Sequence, residues 1–424
     1  METVIKDLWI PNKDDWLHAK SNDDFWFTLR HIDNGVNYMK VNFDDTDVTF
    51  MKSRKIRVYP TMDQKKILKQ MFGMSRFMFN KTVEAVNNGA SPNRFAIQKG
   101  ILAMAPDDDK TPYKVKQMAI DDACVALTNA IKKAKKTGQF QQVSFRSRKA
   151  KRDSMYVPAV SVSYSKSGFI KGIYTRTLGE MYFSEKVGFQ IENDCRFVHQ
   201  DGRYYLIIPI RTNIKQVRPD SQRQSLVALD PGVRTFLTAF DSNKAFKIGD
   251  HDFKTIYEIL LQLDKTISKR NTSIGAKNKR IYQRLISNYK FRVKNLVKEM
   301  HNQVAIMLVK AYDEILLPEF RSSKMVKKLH SKTCRSLLTW SHFSFKQHLM
   351  SKAKEYSSKV TIVNEAYTSK TCTNCMTINN IGGKEQWKCK HCGFEHDRDI
   401  SASRNIYILG SGRFAPKQLG IVND

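Results

Sequence analysis

Four cysteines near the C-terminus, Cys372-x2-Cys375-x13-Cys389-x2-Cys392, stand as two Cys-x-x-Cys knuckles. A knuckle puts both thiolates on one turn, so two knuckles at this separation fit a single tetrahedral Zn²⁺. Four thiolates close the coordination sphere, which implies a structural ion and leaves His391 and His396 unneeded as ligands. Seven residues after the last cysteine comes Asp399, in HDRDISASRNI, and far upstream the apolar strand LVALDPG carries Asp230 at its end. A carboxylate closing an apolar strand is costly without a metal or a partner. Phosphodiester cleavage by two divalent ions needs three or four converging carboxylates, held by strand ends and a neighbouring helix. Hard oxygen ligands of this kind select Mg²⁺, with Mn²⁺ as the alternative. Each acid also has a plainer use. Asp230 fits a turn before Pro231-Gly232, and Asp399 fits the N-cap of the following helix, with Asp397 competing for that cap.

The composition narrows what such chemistry would act on. The chain has 424 residues, with 72 Lys and Arg against 41 Asp and Glu, a formal net charge of +31. A field of that size favours a polyanion and makes binding steeply salt-dependent through counterion release. At 41% hydrophobic and 11% aromatic the chain is globular, with more apolar content than a ribosomal-type structural binder would carry. Its length suits about two to four domains. Outside the knuckles lie only Cys124, Cys195 and Cys334, no disulfide framework, which fits a reducing compartment. The start METVIKDLWIPNKDDW lacks a signal region, and no stretch reaches the roughly 18 apolar residues that cross a bilayer. The expectation is an intracellular protein with no membrane partner, in the nucleus of a eukaryotic host and otherwise in the cytoplasm or nucleoid.

The acids and thiols need elements to hold them, and the pattern changes several times along the chain. Residues 1–53 mix acidic and aromatic residues, among them Trp9, Trp16 and Trp26, and form an N-terminal extension without assigned chemistry. RKIRVYPT at 54–61 alternates like a half-buried strand that Pro60 ends. Ile67, Met71, Met74 and Met78 then recur at helical spacing, a stripe that is more often core than a cofactor site, and DDACVALTNAIKKAKK at 121–136 closes at Gly138. Residues 63–138 are thus expected to be a helical domain. Short segments with turn signals near every ten residues follow: FQQVSFRSRK, SMYVPAVSVSY, FIKGIYTR, GFQIEND and CRFVHQDGRYYLIIPI. They predict a small β-barrel or sandwich, 54–62 plus 139–222, into which the helices are inserted. FRSRKAKR at 145–152, near Tyr156 and Tyr164, fits phosphate contact with base stacking, although a solvated charge run is the plainer use. VALDPGVRTFLTAFD has the form of a hairpin turning at Pro231-Gly232, and a helical hairpin with arms near 253–267 and 285–307, edged with Lys and Arg, comes next. A strand at 314–320, a helix at 341–356, a strand at 360–367 and a last helix, ISASRNIYILG, complete a layered plan with a mixed sheet. The expected fold class is multidomain α+β.

The order of these motifs resembles a known family. ALDPGVRTF, the strand before FRSSKM, AYTSKTCTNC, CKHCG and RDISASRNI look like the RuvC-type nuclease of transposon-encoded TnpB proteins. They look more closely like its eukaryotic and giant-virus relatives, the Fanzor proteins. RKIRVYPTMDQKKILKQMFGMSRFMFNKTV and FRSRK resemble that family's barrel and recognition regions, so the resemblance covers about 54–410. It implies a wedge-like β-barrel with an inserted helical recognition domain, then an RNase H-like (RuvC) α/β nuclease domain at 223–367 plus 396–424. A zinc-ribbon, target-nucleic-acid-binding insert would occupy 368–395. The implied activity is that of an RNA-guided DNA endonuclease related to type V CRISPR effectors. Its partners would be a guide (omega) RNA from its own element and double-stranded target DNA read beside a short motif, and it would act as a monomer.

In this resemblance Asp230, Glu365 and Asp399 hold two Mg²⁺ ions. The middle acid departs from the family's common I-E-D-L strand, because LPEFRSSKM puts Pro318 where the glutamate belongs. Glu319 comes one residue later, which in a strand is the opposite face. Some family members resemble this chain in carrying a glutamate just before the TSK-C motif, the place of Glu365, and Glu319 is the alternative. Two other classes stand beside this one. They are a guide-independent nuclease or transposase with the same acids, and a non-catalytic nucleic-acid-binding regulator of transposition.

Overall fold

A computed structural model describes residues 49–106, 109–214, 224–233, 235–249, 252–320, 331–363, 367–382 and 384–411. The chain divides into two units, one of Thr49–Thr212 and one running from Asn213 onward. No described helix is long and apolar enough to cross a membrane.

In the first unit, strand β1 (Thr49–Tyr59) stops at Pro60, which has no N–H to give a ladder. Thr61 then caps helix α1 (Met62–Asn87): its hydroxyl accepts the Gln64 N–H, and the Gln64 side-chain oxygen accepts the Thr61 N–H at 2.9 Å. Met71 and Met78 of the expected stripe are buried in α1 with Leu68, Phe72 and Phe79. Helices α2 (Arg94–Leu102) and α3 (Tyr113–Thr137) follow, and α3 ends at Gly138 in the left-handed conformation, φ +69°. The strands after the helices are β2 (Arg152–Val157), β3 (Val162–Tyr164), β4 (Ile170–Ile173), β5 (Tyr182–Phe183), β6 (Cys195–Gln200) and β7 (Arg203–Asn213). One helical turn, α4 (Thr175–Leu178), follows β4.

Five of these strands form a sheet in the order β2-β6-β7-β1-β5, while β3 pairs with β4. Ile56, Met155, Phe197 and Leu206 of the larger sheet share one core with Val162, Ile170 and Ile173 of the smaller. Among the described residues no pairing joins β2 to β5, and the two sheets pack on one shared core. Two expected strands are also missing, and side chains explain why. Within 139–148, Asn80 accepts the Arg146 N–H at 2.7 Å and donates to the Arg146 carbonyl at 3.0 Å. Within 188–194, the Ile191 N–H goes to the Tyr164 hydroxyl at 2.7 Å. Backbone groups met this way have no need of a neighbouring strand.

The second unit begins with an antiparallel meander of β8 (Gln224–Pro231), β9 (Leu237–Asp241) and β10 (Ala245–Ile248), as the Pro-Gly turn predicts. Helices α5 (Asp252–Thr272) and α6 (Ala276–Ala311) lead to β11 (Tyr312–Pro318). Then come α7 (Ser331–Trp340), α8 (His342–Glu355) and β12 (Lys359–Val363). A small hairpin, β13 (Gln386–Lys388) and β14 (Glu395–Asp397), precedes α9 (Arg398–Gly410). The main sheet has the order β10-β9-β8-β11-β12, with β11 and β12 parallel to β8.

Alternation along each strand separates two faces. Val227, Leu229, Leu237, Ala239, Ile315 and Leu317 turn to the layer formed by α5, α6, α7 and α8. Leu226, Ala228, Phe240, Leu316 and Val363 turn to the other layer, where Ile406 and Tyr407 of α9 pack. Helix α9 approaches so closely that a Cβ on Gly410 would collide with Leu316. The helix expected at 341–356 is preceded by α7, from which left-handed Ser341 (φ +51°) separates it.

Candidate functional site

Asp230 stands at the end of β8, where the route across the sheet divides. Strands β9 and β10 lie to one side of β8, and β11 and β12 to the other. In open α/β sheets ligands bind at such a switch point, outside the carboxyl ends of the strands. Pairing sets Asp230 opposite Thr238, and Thr238 opposite Lys247. Residues paired across an antiparallel ladder share a face. Here it is the α9 face, because Ala228 and Phe240, the next pair along, pack on α9. Asp230 is half-buried there.

The first turn of α9 belongs to the same region. Asp397, not Asp399, is the N-cap: its Oδ1 accepts the N–H groups of Asp399 at 3.0 Å and Ile400 at 3.1 Å. Its Oδ2 accepts from the Lys247 ammonium at 2.9 Å. Lys247 therefore joins the row containing Asp230 to the residue two before Asp399. With the cap supplied by Asp397, the plainer use of Asp399 falls away, and its half-buried carboxylate lies in the first turn of the helix. Burial pushes the Asp399 carboxyl above the ordinary range and Asp397 adds to the push, while Arg398 and Lys247 act against it. Burial alone would lower the Lys247 ammonium, but Asp397, Asp399 and Glu385 hold it above its usual value. A carboxyl raised by burial and a like charge would gain from a bound cation.

The register also locates the middle position. Ala228 pairs with Leu316 and Pro318 with Val363, which sets Pro318 and Val363 level with Asp230 at the strand ends. Proline offers no ligand there. Glu319 follows after the strand has ended, exposed, with its N–H donated to the Val363 carbonyl at 3.2 Å. Glu365 lies outside the described residues, two positions beyond Val363 in sequence.

The knuckle cysteines do come together, with all four sulfurs within 4.8 Å of one another. Cys372–Cys392 and Cys375–Cys389 are each 3.6 Å apart. Two sulfurs about 2.3 Å from a shared tetrahedral ion would be about 3.8 Å apart, so the set fits one metal. Both knuckles are built alike. The first cysteine donates its N–H to the carbonyl five residues on (Thr377 at 3.0 Å, Phe394 at 2.9 Å) and accepts from the fourth (Met376 at 2.9 Å, Gly393 at 3.0 Å). That fourth residue is left-handed in each, Met376 at φ +59° and Gly393 at φ +72°. Thr377 draws the Cys375 thiol down to about 5 through its hydroxyl and N–H, whereas burial pushes Cys372 up to about 12. His396 was unneeded as a ligand by sequence, yet it is buried with Nε2 3.1 Å from Cys372 Sγ. It stacks at 4.4 Å on Trp387, its cross-strand partner, and precedes the capping Asp397. Nothing in the local sequence announces that contact.

Known proteins are similar to this chain in sequence. A family profile described as the Cas12f1-like TNB domain matches residues 342–406, from the start of α8 into α9, and so includes the cysteines, Asp397 and Asp399. TnpB-like protein L79 of Acanthamoeba polyphaga mimivirus is 27% identical over 398 residues, covering 86% of this chain and 74% of that protein. Along most of its length the chain is similar to TnpB-like proteins. A second TnpB-like protein of that virus, L770, is 26% identical over 399 residues, with 86% of this chain and 74% of its own length covered. The CRISPR-associated endodeoxyribonuclease Cas12f1 of Sulfoacidibacillus thermotolerans shares 37% identity over 76 residues, 18% of each chain. A profile described as a helix-turn-helix domain matches residues 51–88. In this chain that segment is one strand, β1, followed by one long helix, α1.

Proposed function

We propose that the chain is a transposon-associated, RNA-guided DNA endonuclease that cleaves target DNA beside a short adjacent motif by two-metal-ion hydrolysis. The observation that carries this is the cross-strand row Asp230–Thr238–Lys247 with Lys247 bound to Asp397 at the start of α9. It supports reading the strand-end Asp230 and the helix-start Asp399 as parts of one site at the sheet's switch point. The kinship with TnpB-like proteins and with an endodeoxyribonuclease supports the same reading.

The chain's own part is positional. β8 presents Asp230, the Lys247–Asp397 bridge sets the helix turn bearing Asp399, and Glu365 would complete the set, with Glu319 the alternative. Mg²⁺ or Mn²⁺ bound by these acids would supply water activation and stabilisation of the leaving oxygen. Cys372, Cys375, Cys389 and Cys392 would hold a structural Zn²⁺, with no coordination position open for catalysis. In this reading 54–62 plus 139–222 is the wedge-like domain and 63–138 the recognition domain. The nuclease domain is 223–367 plus 396–424, and 368–395 is the insert that meets target nucleic acid. The surplus of 31 positive charges would hold a guide–target heteroduplex by its backbone, leaving sequence choice to base pairing.

Plasmid cleavage by the chain co-expressed with the non-coding RNA flanking its gene tests the proposal. The expected result is Mg²⁺-dependent cutting directed by the guide, a discrete copurifying RNA, and loss of cutting in Asp230→Ala and Asp399→Ala with the RNA still bound. Unchanged cutting by Asp230→Ala refutes the site. Cutting without any bound RNA makes the chain a guide-independent nuclease.

A further inference from the structure

The turn that follows Asp230 is gripped from below. His342 Nε2 donates to the Gly232 carbonyl at 2.9 Å, and the Trp340 indole N–H donates to the Val233 carbonyl at 2.9 Å. Two successive carbonyls, beginning two residues after Asp230, are thus held by two side chains that flank left-handed Ser341 at the α7–α8 junction. Gly232 donates in turn to the Phe236 carbonyl at 3.2 Å, and a Cβ on it would come within 2.5 Å of the Thr235 oxygen. Phe236 lies flat on the His342 ring, 5.2 Å away and 7° from parallel. Phe320, two residues beyond the end of β11, meets the other part of that ring edge-on at 4.8 Å. One imidazole therefore touches the chain just past the ends of both β8 and β11.

Packing alone does not call for a histidine at this place. His342 is only 4% exposed, and among the described residues no group meets its Nδ1. A buried nitrogen without a partner weakens the fold, and phenylalanine would fill the same space without one. What histidine adds is the Nε2–H directed at Gly232. We infer that His342, seconded by Trp340, is a positioning residue that fixes the turn after Asp230 and through it the aim of the Asp230 carboxylate. This inference rests on the nuclease reading of Asp230.

The test uses the purified protein–RNA complex and two substitutions. His342→Phe keeps the ring and loses the donor, and Gly232 is half-buried, so water can reach its carbonyl. His342→Gln restores an N–H. His342→Phe is expected to melt within a few degrees of wild type at neutral pH and to retain RNA. It should nevertheless weaken Mn²⁺ binding, followed by electron paramagnetic resonance, and slow Mg²⁺-dependent cleavage, each by about 10–100-fold, as loss of a supporting hydrogen bond does at metal sites. His342→Gln should recover most of both. A purely structural residue would behave in the opposite way, with lower melting and unchanged Mn²⁺ affinity per folded molecule, and that result overturns the inference. If wild type itself neither binds Mn²⁺ nor cuts, the nuclease reading falls and this inference falls with it.

Discussion

Asp399 carries its charge against its surroundings. Burial first, and Asp397 second, hold its carboxyl above the ordinary range. A folded-state pKa above the unfolded one means that the folded chain binds the proton more tightly, so stability is gained as pH falls through the folded value and lost above it. At neutral pH the ionised side chain therefore weakens the fold, and a bound cation would relieve it. Asp399→Asn keeps the shape and removes the charge. It should raise the melting temperature of the metal-free protein by a few degrees, abolish cleavage, and abolish the gain in melting temperature that Mg²⁺ gives wild type. Thermal scans with and without Mg²⁺ decide the matter, and a variant melting below wild type in the absence of metal would make Asp399 a structural partner instead. Residues of the site differ in how plainly the sequence announces them. The cysteines are legible because a knuckle is a local object, and Asp230 because a strand end and its turn are contiguous. The cap at Asp397 depends on helix N–H directions that spacing does not reveal. The contacts of His396, His342 and Lys247 escape notice because their partners are 24, 110 and 150 residues away.

Three elements meet at the α7–α8 junction, and two histidines there make it sensitive to acid. His301 of α6 bonds the Trp340 carbonyl through Nε2 at 2.8 Å, as His342 bonds that of Gly232. Burial lowers both imidazoles to about 4, the carbonyl contacts offsetting only part of it. Unfolded histidine titrates near pH 6.5, so between about 6.5 and 4 the unfolded chain takes up protons that the folded chain refuses. Stability is then complete above about pH 6.5 and declines towards pH 4, by up to about 3 kcal/mol for each histidine. Their mutual repulsion makes the two contributions less than independent. Urea titrations at pH 7 and pH 5 should show this fall, with His342→Phe flattening about half of it; an undiminished slope in that variant would place the acid sensitivity elsewhere. At this scale the sequence reads best where alternation and burial agree, as in β1, β8, α1 and the α5–α6 arms. It misleads where side chains take over backbone groups, as Asn80 does for Arg146 and Tyr164 for Ile191. It also stops short at Trp340–His342, since left-handed Ser341 interrupts a run whose composition is helical throughout.

The whole chain is a polycation, and its excess of 31 charges is the one global property that sequence states outright. It also limits how a guide RNA could work. Each nucleotide brings one phosphate, so a guide of more than about 31 nucleotides reverses the sign of the complex. The bare protein should then hold any DNA by counterion release, losing about 10³–10⁵ in affinity between 50 and 200 mM salt if it covers about six to ten phosphates. A guide-bound protein would have far fewer cations left for DNA, and base pairing would replace them as the source of affinity. Its capture of a matched target should therefore show a log–log salt slope well below that of the bare protein on unrelated DNA. Filter binding of both forms across a salt series measures the two slopes directly. Equal slopes would mean that the RNA leaves the basic surface uncovered. In that case the cations serve DNA alone, and a guide-independent nuclease would describe the chain better.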